Sequence, residues 1–303
     1  MRIFITGATG FIGGTLAVRL ASTHQVRGLI RSGDHVEALV AAGIEPVLGH
    51  LEDAEILAAE ARAADAVINA ADSDHADAVD VLLDALGGSG GKPFLHTSGS
   101  SIVGEASGGE PQQAVYTEAD VVGDSGWVPA EDKQARVAID RRVLAARDRN
   151  IRSVVLCNSM VYGTGEGWRR DSVQIPRLVE TARRSGVVRH VGRGLNVWSN
   201  VSLSDACDLY LLALDKAAPG SFFFVENGEE SFRAITEAIA VALRLPPPSA
   251  ISVAEAIAEW GFEPAVYALG SNSRVRGRAS RDQLGWRPIH GSVTSWIREN
   301  VRP

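Results

Sequence analysis

The chain has 303 residues, of which 45% are hydrophobic and 22% are charged, and it carries a formal net charge of −7. This length suggests about two domains or one large one, and the acidic balance argues against a basic face that binds nucleic acid or a membrane surface. No apolar run approaches the ~18 residues of a membrane span, and with only two cysteines the chain is expected to be cytoplasmic and to hold no metal site.

The chain begins with a predicted strand, a glycine turn and a helix. The run from Ile3 to Ile5 has the length of a buried parallel strand, and apolar residues at helical spacing follow the turn. Gly7 permits a tight turn, Gly10 lets the backbone approach a phosphate, and Gly13 lets helix and strand pack closely. The helix N-terminus would then face a dinucleotide pyrophosphate, a glycine turn without a ligand being the alternative. The predicted cofactor-binding residues are Gly7, Thr9, Gly10, Phe11, Ile12 and Gly13.

The spacing of these glycines points to a family. It is G-x-x-G-x-x-G, and with Thr6 in front it resembles the T-G-x-x-G-x-x-G of extended and atypical short-chain dehydrogenases/reductases. The resemblance implies a doubly wound parallel sheet that binds a nicotinamide dinucleotide at the carboxyl ends of its strands.

The residue after the second strand indicates which dinucleotide binds. Residues 26–30 predict this strand, and Arg31 and Ser32 follow it. An acid about 20 residues beyond the glycine loop favours the 2′-hydroxyl of NAD, whereas an arginine accommodates the 2′-phosphate of NADP. We therefore predict NADP(H) rather than NAD(H), with Arg31 and Ser32 at the phosphate. A solvated arginine is the alternative, and Asp34 close by weakens the case.

The third strand is predicted at residues 45–48. Members of the resembled family often have G-D-L-x-D after it, with the first acid at the adenine. His50 stands at that position in this chain, and Leu51 after it is predicted to line the cofactor site. Asp53 is interpreted as the N-cap of the next helix.

The fourth strand, at residues 66–71, ends in the small residues Ala70 and Ala71. This ending resembles the family segment in which the backbone approaches the cofactor, so both alanines are predicted cofactor contacts. The acidic residues of 72–77 lack the spacing of a calcium loop. We interpret them as the solvated start of a helix at 76–86.

The fifth strand, predicted at residues 92–98, ends in a run of serines. The family carries its catalytic serine or threonine at this strand end, where the hydroxyl binds a substrate carbonyl. By register Gly99 occupies the usual serine position, so either Ser98 or Ser100 is predicted to supply the hydroxyl. A polar turn without a catalytic role is the alternative.

The family places Y-x-x-x-K at the start of the next long helix, predicted here within residues 130–149. Aligning Asp140 with the acid that often follows this motif puts Arg136 at the lysine position and Asp132 at the tyrosine position. The motif is therefore missing. Arg136 can still offer charge and hydrogen-bond donors to the nicotinamide ribose, but Asp132 cannot replace a phenol.

Hydride chemistry at a carbonyl needs a proton source even without that motif. No tyrosine lies between Tyr116 and Tyr162. The sequence therefore leaves four candidates open as proton donor, namely Tyr162, Tyr116, Lys133 and water.

The sixth strand, predicted at residues 152–157, leads into Val161-Tyr162-Gly163. This segment resembles the R-P-x-x-V-Y-G of extended members, which lines the nicotinamide face. Asn158 stands where proline is usual and is predicted to contact the cofactor. The loop at 164–171 carries a tryptophan and two arginines, and it is either a substrate rim or an exposed loop.

From about residue 164 the parallel rhythm gives way to shorter, mixed elements. Helices are predicted at 173–185 and 206–216, the second capped by Asp205. Leu284-Gly285-Trp286-Arg287-Pro288 resembles the L-G-W-x-P found near the end of extended members. The predicted organisation is a dinucleotide-binding domain at 1–163, which a strand near 222–225 could rejoin, and a mainly substrate-binding α+β domain at 164–303.

The chain as a whole resembles an atypical, epimerase/dehydratase-like member of this family. The first hypothesis is an NADP(H)-dependent oxidoreductase acting on a small carbonyl or alcohol in the interdomain cleft. A non-catalytic NAD(P)-binding sensor is the alternative, and a sugar-nucleotide epimerase or dehydratase is weakened by the missing tyrosine. No nucleic-acid or membrane partner is expected. A homodimer is expected to form through the helices at 76–86 and 130–149.

Overall fold

The architecture is taken from a computed structural model that describes residues 1–123 and 125–303. The strands, in chain order, are β1 (Arg2–Thr6), β2 (Gln25–Ile30), β3 (Ile44–Leu48), β4 (Ala66–Asn69), β5 (Pro93–Gly99), β6 (Glu105–Ala106), β7 (Tyr116–Thr117), β8 (Arg152–Asn158), β9 (Met160–Tyr162), β10 (Arg189–Val191), β11 (Val197–Ser202), β12 (Ser221–Val225), β13 (Glu229–Ser231), β14 (Ser249–Ile251), β15 (Ser271–Asn272) and β16 (Val275–Arg276).

The helices that alternate with these strands are α1 (Phe11–Ala21), α2 (Val36–Ala41), α3 (Ala54–Ala63), α4 (Ala76–Leu86), α5 (Glu118–Val122), α6 (Gln134–Ala145), α7 (Gln174–Ser185), α8 (Leu203–Lys216), α9 (Phe232–Leu243), α10 (Val253–Trp260), α11 (Ala279–Leu284) and α12 (Val293–Asn300). A π-helical turn, Pro264–Leu269, follows α10. No described helix is long and apolar enough to cross a membrane.

A seven-stranded parallel sheet forms the centre of the molecule, in the order β12-β8-β5-β4-β1-β2-β3. Because the chain first winds outward from β1 to β3 and then returns to continue on the other side, the predicted doubly wound sheet is confirmed. Successive residues of a strand point to opposite faces. In β1, Ile3 and Ile5 pack in one cluster with α1 and α8, whereas Phe4 packs in another with α3, α4 and α6.

The predicted smaller α+β part is confirmed beyond β9. Strand β11 pairs with β9 and β13, and β10 pairs with β14. Helices α7, α9, α10 and α12 contribute to a separate apolar cluster around them. Strand β12 lies beside β8 in the central sheet and α8 packs on that sheet, so elements from both sides of residue 163 complete it. The division at this residue stays a prediction.

Two predicted helix caps differ in the structure. Helix α8 begins at Leu203 because the Ser202 hydroxyl accepts a hydrogen bond from the Asp205 N–H at 3.1 Å. Asp205 was therefore wrongly expected to cap it, and its carboxylate instead accepts the N–H groups of Ile289 and His290. Asp53 does stand at the N-cap of α3, but its carboxylate accepts from the His50 N–H at 2.7 Å.

Candidate functional site

Two glycines of the loop after β1, Gly7 and Gly13, have no room for a side chain. Gly7 has φ +72°, and a Cβ there would lie 2.5 Å from the Ala70 carbonyl oxygen. A Cβ at Gly13 would meet the Gly7 carbonyl oxygen far inside van der Waals contact. Gly10 supplies no side-chain cap for α1, so the N–H groups of the first helical turn stay available to an anion. This cradle fits the phosphates of a dinucleotide.

A cleft of about 430 Å³ opens at this loop, at the carboxyl ends of β1, β2 and β4. Phe11, Ile12 and Gly13 lie in the first turn of α1 beside it, and Ser32 follows one of its lining residues. Arg136 and Asn158 are not among the residues that line it. The lining residues are Gly7, Thr9, Gly10, Leu29, Ile30, Arg31, Leu51, Ala70, Ala71 and Asp72.

Arg31 at the end of β2 is exposed and has no carboxylate partner in the described part of the chain. The Ser32 hydroxyl donates to the Asp34 carboxylate at 2.7 Å and accepts from the Asp34 N–H at 3.2 Å. The acid that weakened the NADP(H) prediction is thus held within its own turn, and no acid occupies the position of Arg31.

Ser98 at the end of β5 is buried, and its hydroxyl donates to the Asp140 carboxylate of α6 at 2.8 Å. The other Asp140 oxygen lies 3.7 Å from Nε2 of the buried His96. Neither of those two atoms has a hydrogen-bond partner among the described residues. Burial raises the pKa of Asp140 to about 7 and lowers the pKa of His96 to about 4. At pH 7 the imidazole is therefore uncharged and the Asp140 carboxyl is near the midpoint of its titration, and the pair becomes neutral as the pH falls below that value.

The same network reaches the glycine loop. The Asn69 amide donates to His96 Nδ1 at 3.1 Å, and Asn69 Oδ1 accepts from the Thr6 hydroxyl at 2.5 Å. Thr6 Oγ1 in turn accepts from the N–H of Ala70, which lines the cleft. With Nδ1 as acceptor, the His96 proton sits on Nε2 and faces Asp140.

Ser100 and Asn158 also have partners inside the protein. The hydroxyl of the fully buried Ser100 lies 2.7 Å from the Ser273 hydroxyl. The Asn158 amide donates to the Tyr210 hydroxyl at 2.8 Å. The predicted roles of Ser98, Ser100 and Asn158 stay predictions. The structure adds that both serine hydroxyls and the Asn158 NH₂ group are buried and bound, whereas Asn158 Oδ1 has no hydrogen-bond partner among the described residues.

Arg136 is part of a cluster that sequence reasoning did not identify. Its Nε donates to Asp74 at 2.5 Å, its Nη2 pairs with the other oxygen of the same carboxylate, and its Nη1 donates to the Ser101 hydroxyl at 2.5 Å. Asp74 follows β4 and Ser101 follows β5, so both come from the edge at which the cleft opens. The sequence did contain one indication that Asp74 and Ser101 lie close together, because their loops follow neighbouring parallel strands.

Lys133 lies one helical turn before Arg136 and is buried. Its Nζ is 2.8 Å from the Asp132 carboxylate and 4.1 Å from the centroid of the Tyr267 ring. Tyr267 is partly exposed, and within the described ranges its hydroxyl has no hydrogen-bond partner. It comes from the π-helical turn of the C-terminal part, and sequence reasoning missed it because no local motif marks it.

The other tyrosines are engaged elsewhere. The Tyr162 hydroxyl donates to the His290 carbonyl oxygen at 2.9 Å, and Tyr162 lines a different cavity of about 340 Å³. Burial raises the pKa of Tyr162 to about 12. The Tyr116 hydroxyl is 3.4 Å from the Glu105 carboxylate, and the fully buried Tyr210 donates to Thr97 at 2.9 Å. The structure does not bring Tyr162 to the glycine-loop cleft.

The comparisons with known proteins agree with this architecture. The family described as "NAD dependent epimerase/dehydratase family" matches residues 3–223. "Oxidase ucsJ" of Acremonium sp is 30% identical and is matched over 95% of this chain and 93% of its own length. "2-alkyl-3-oxoalkanoate reductase" of Stenotrophomonas maltophilia is 29% identical over 76% of this chain and 71% of its own.

Solved structures show the same fold. A dTDP-glucose 4,6-dehydratase from Bacillus anthracis, determined in complex with NAD, superposes with a TM-score of 0.77 at 17% identity, covering 99% of this chain and 95% of that one. The resemblance inferred from the glycine loop is thereby confirmed. By its match over most of its length, the chain belongs to the NAD dependent epimerase/dehydratase family.

Proposed function

We propose that this protein is an NADP(H)-dependent oxidoreductase that reduces a small carbonyl compound or oxidises the corresponding alcohol. The observation that carries the proposal is the glycine cradle at the α1 N-terminus, with the unpaired Arg31 at the same cleft. The printed names of two relatives, an oxidase and a reductase, support the reaction class. The reductase name adds 2-alkyl-3-oxoalkanoates as the first substrates to test.

The cofactor would be held by groups on three strands. The pyrophosphate would lie at the glycine loop, with the α1 N–H groups as donors, and Arg31 would bind the adenosine 2′-phosphate. Ser32 would donate to the same phosphate once its hydroxyl turns away from Asp34. Ala70 and Ala71 would let the rest of the dinucleotide approach the backbone beyond β4. When bound, the nicotinamide would supply or take up the hydride.

The proton would come from Tyr267. Its hydroxyl is the one among the tyrosines of the described chain that no protein group accepts from or donates to, and the Lys133 ammonium lies over its ring. A nearby cation stabilises the phenolate that remains after proton transfer. Lys133, one of the candidates from the sequence, would thus assist the donor rather than act as it.

Ser101 would orient the carbonyl. Its hydroxyl is partly exposed and already fixed by Arg136, whereas Ser98 and Ser100 are buried with bound hydroxyls. The hydrogen bond between Ser98 and Asp140 would then fix the end of β5 against α6. Arg136, whose charge is paired with Asp74, would position Ser101.

The experiment is a substrate panel assayed by loss of NADPH absorbance, with 2-alkyl-3-oxoalkanoates, simple ketones and aldehydes. Binding of NADPH and of NADH is measured separately by quenching of tryptophan fluorescence. We expect NADPH to bind more tightly than NADH and at least one carbonyl to be reduced. Tight NADPH binding with no turnover of any substrate would refute the catalytic part, and preference for NADH would refute the cofactor assignment.

A second candidate function is a dinucleotide-binding sensor without catalysis. The burial of both predicted catalytic serine hydroxyls favours it. A single-turnover experiment, with enzyme in excess over NADPH and a high carbonyl concentration, separates the two functions because even slow hydride transfer consumes the bound NADPH. The sensor requires that none is consumed.

A further inference from the structure

The loop that follows β9 folds back onto the dinucleotide-binding helix α1. The Glu166 N–H donates to the Thr15 hydroxyl at 3.1 Å. Gly167 packs against Gly14 so closely that a Cβ at Gly167 would lie 2.7 Å from the Gly14 carbonyl carbon. This loop, residues 164–171, therefore lies against the second turn of the helix whose N-terminus faces the cleft.

Ionic and backbone contacts fix the loop further. The Glu166 carboxylate accepts from Arg19 Nη2 at 2.5 Å and from Arg19 Nε at 2.9 Å. Within the loop, the Gly165 N–H donates to the Arg170 carbonyl oxygen at 2.7 Å. A two-donor arginine–carboxylate contact sets orientation as well as distance, so residues 166–170 have a defined position relative to α1.

The loop reaches the turn after β2 through Trp168. The indole centroid lies 4.4 Å from the centroid of the His35 ring. His35 ends the 3₁₀ turn that Ser32 caps, and it stands four residues beyond Arg31. Trp168 nevertheless leaves 54% of its surface exposed. It therefore packs against the end of the turn that follows Arg31 and Ser32 while keeping a free face.

Two arginines follow Trp168 directly. Arg169 and Arg170 are exposed, and in the described chain neither lies within ion-pair distance of a carboxylate. Glu166 is already paired with Arg19. With the exposed Asp171 next in the chain, residues 169–171 carry a net charge of +1. They belong to the loop whose Trp168 contacts His35, in the turn that follows Arg31, and Arg31 has no carboxylate partner among the described residues either. A phosphate monoester, which carries close to two negative charges at pH 7, is the nucleotide group that such a cluster favours.

We propose that Trp168, Arg169 and Arg170 form the outer wall of the 2′-phosphate site and determine the choice of NADP(H) over NAD(H). Trp168 is a positioning residue that holds the turn of Arg31 and Ser32 through His35, and the two arginines supply charge. The inference rests on the proposed cofactor preference. The choice between NADP(H) and NAD(H) would then depend on residues outside the predicted dinucleotide-binding domain at 1–163, because the loop at 164–171 follows β9.

The test measures binding, so it needs no substrate. The full chain is titrated with NADPH, NADH and 2′,5′-ADP, and binding is followed by calorimetry. Trp168→Ala is expected to raise the Kd of NADPH and of 2′,5′-ADP roughly tenfold and to change the Kd of NADH less than about twofold. Arg169→Ser/Arg170→Ser is expected to act in the same direction and to weaken the salt dependence of NADPH binding.

Matched variants control for unrelated effects. Trp127→Ala removes an indole that contacts Tyr116, and Arg183→Ser/Arg184→Ser removes an exposed arginine pair on α7. Both are expected to leave the ratio of the two Kd values unchanged. Trp168→Phe keeps an aromatic ring and is expected to restore most of the selectivity, which serves as the readout if Trp168→Ala folds poorly.

The outcomes separate this inference from the proposed function. If the wild-type chain binds neither nucleotide, the cofactor proposal fails, and if it prefers NADH, the preference and the inference fail together. If it prefers NADPH and the ratio of NADH to NADPH affinity is unchanged in Trp168→Ala, Trp168→Phe and Arg169→Ser/Arg170→Ser alike, the preference stands and the inference alone is overturned.

Discussion

His96 and Asp140 change protonation in opposite directions when the chain folds. Between pH ~4 and ~6.5 the unfolded chain holds a charged histidine and an ionised aspartate. In the folded chain burial lowers the pKa of His96 to about 4 and raises the pKa of Asp140 to about 7. Folding therefore moves one proton from the imidazole to the carboxyl without changing the number bound. Because only a difference in bound protons makes stability depend on pH, the pair contributes almost no slope in this range.

Replacing either residue should make the free energy of unfolding depend on pH, because the pKa shift of the remaining residue is then no longer offset. In His96→Gln the raised pKa of Asp140 acts alone, so the folded state binds the extra proton and the free energy of unfolding falls, relative to wild type, by about 1.4 kcal/mol per pH unit as the pH rises from ~4.5 to ~6.5. In Asp140→Asn the lowered pKa of His96 acts alone, so the free energy of unfolding, relative to wild type, rises with pH by a similar amount. Urea unfolding at several pH values measures both, and two curves parallel to wild type would contradict the pairing.

Tyr267 is the residue on which the proposed proton transfer depends. Tyr267→Phe is expected to lower kcat for carbonyl reduction by about 10²–10⁴-fold without weakening NADPH binding, since the ring that Lys133 contacts is kept. Lys133→Met should lower kcat less. Tyr116→Phe and Tyr162→Phe are the controls because both hydroxyls already have protein partners. A Tyr267→Phe enzyme with wild-type kcat would reject this donor.

At the scale of elements, the start of α1 decides whether a dinucleotide can bind. Gly13→Ala places a methyl group against the Gly7 carbonyl oxygen and is expected to weaken NADPH binding at least tenfold, because the loop backbone must move away from the phosphates. Gly291→Ala, just before α12, meets nothing within 4 Å and is the matched control. Fluorescence titration compares them, and equal affinities would mean that the cradle does not hold the nucleotide.

Elements built from local patterns were predictable, and elements built from distant pairing were not. The apolar runs of β1, β2 and β4 and the glycine loop were read correctly because each pattern is complete within a few residues. Strands β6 and β7 have two residues each and exist through pairing with β15 and β16, more than 150 residues away. Strands of two residues are too short to show an alternation of polar and apolar residues, so the sequence does not predict them.

The candidate site shows the same division. The glycines, Arg31 and the two alanines of the cleft were predicted because motif and strand end coincide there. The contacts of Ser98 with Asp140 and of Arg136 with Asp74 depend on how α6 packs across the sheet, and Tyr267 arrives from a turn without a motif. The error at Asp205 has a similar origin, since its carboxylate serves backbone groups at residues 289–290.

The predicted dimer involves α4 and α6. Within one chain, Arg142 of α6 pairs with Asp80 of α4, and Arg149, just beyond α6, pairs with Asp84 of α4, so these two arginines already have partners. A second copy could pack there without leaving those arginines unpaired. We expect sedimentation at micromolar concentration to give the mass of a dimer, and Arg142→Glu to shift it toward the monomer. A monomer in the wild type would remove this expectation.

At the scale of the whole molecule, a segment near the C-terminus packs against residues that follow β5 in the central sheet. The Ser273 hydroxyl donates to the Ser100 carbonyl oxygen at 2.8 Å, and the Asn272 amide donates to the Ser107 hydroxyl at 2.8 Å. The segment at residues 270–277 thereby covers the end of β5. Ser100 and Ser107 are thus held by a segment that lies far from them in the sequence.

A fragment of residues 1–163 is therefore expected not to fold alone. It lacks β12, which pairs with β8, and α8, which covers one face of the sheet. Unpaired strand edges and bare apolar faces promote association. A fragment of residues 1–228 restores both elements and should be more soluble and more structured by circular dichroism. Equal solubility of the two fragments would show that the first domain is complete at residue 163.

The position of β12 at one edge of the central sheet also governs how the protein is made. Translation proceeds at about 5–20 residues per second, so the edge of β8 remains open for several seconds after its own residues have emerged. During that time it can pair with any extended segment nearby, including another nascent chain. A brief occupancy by a chaperone at this stage would protect the sheet until Ser221–Val225 arrives to close it.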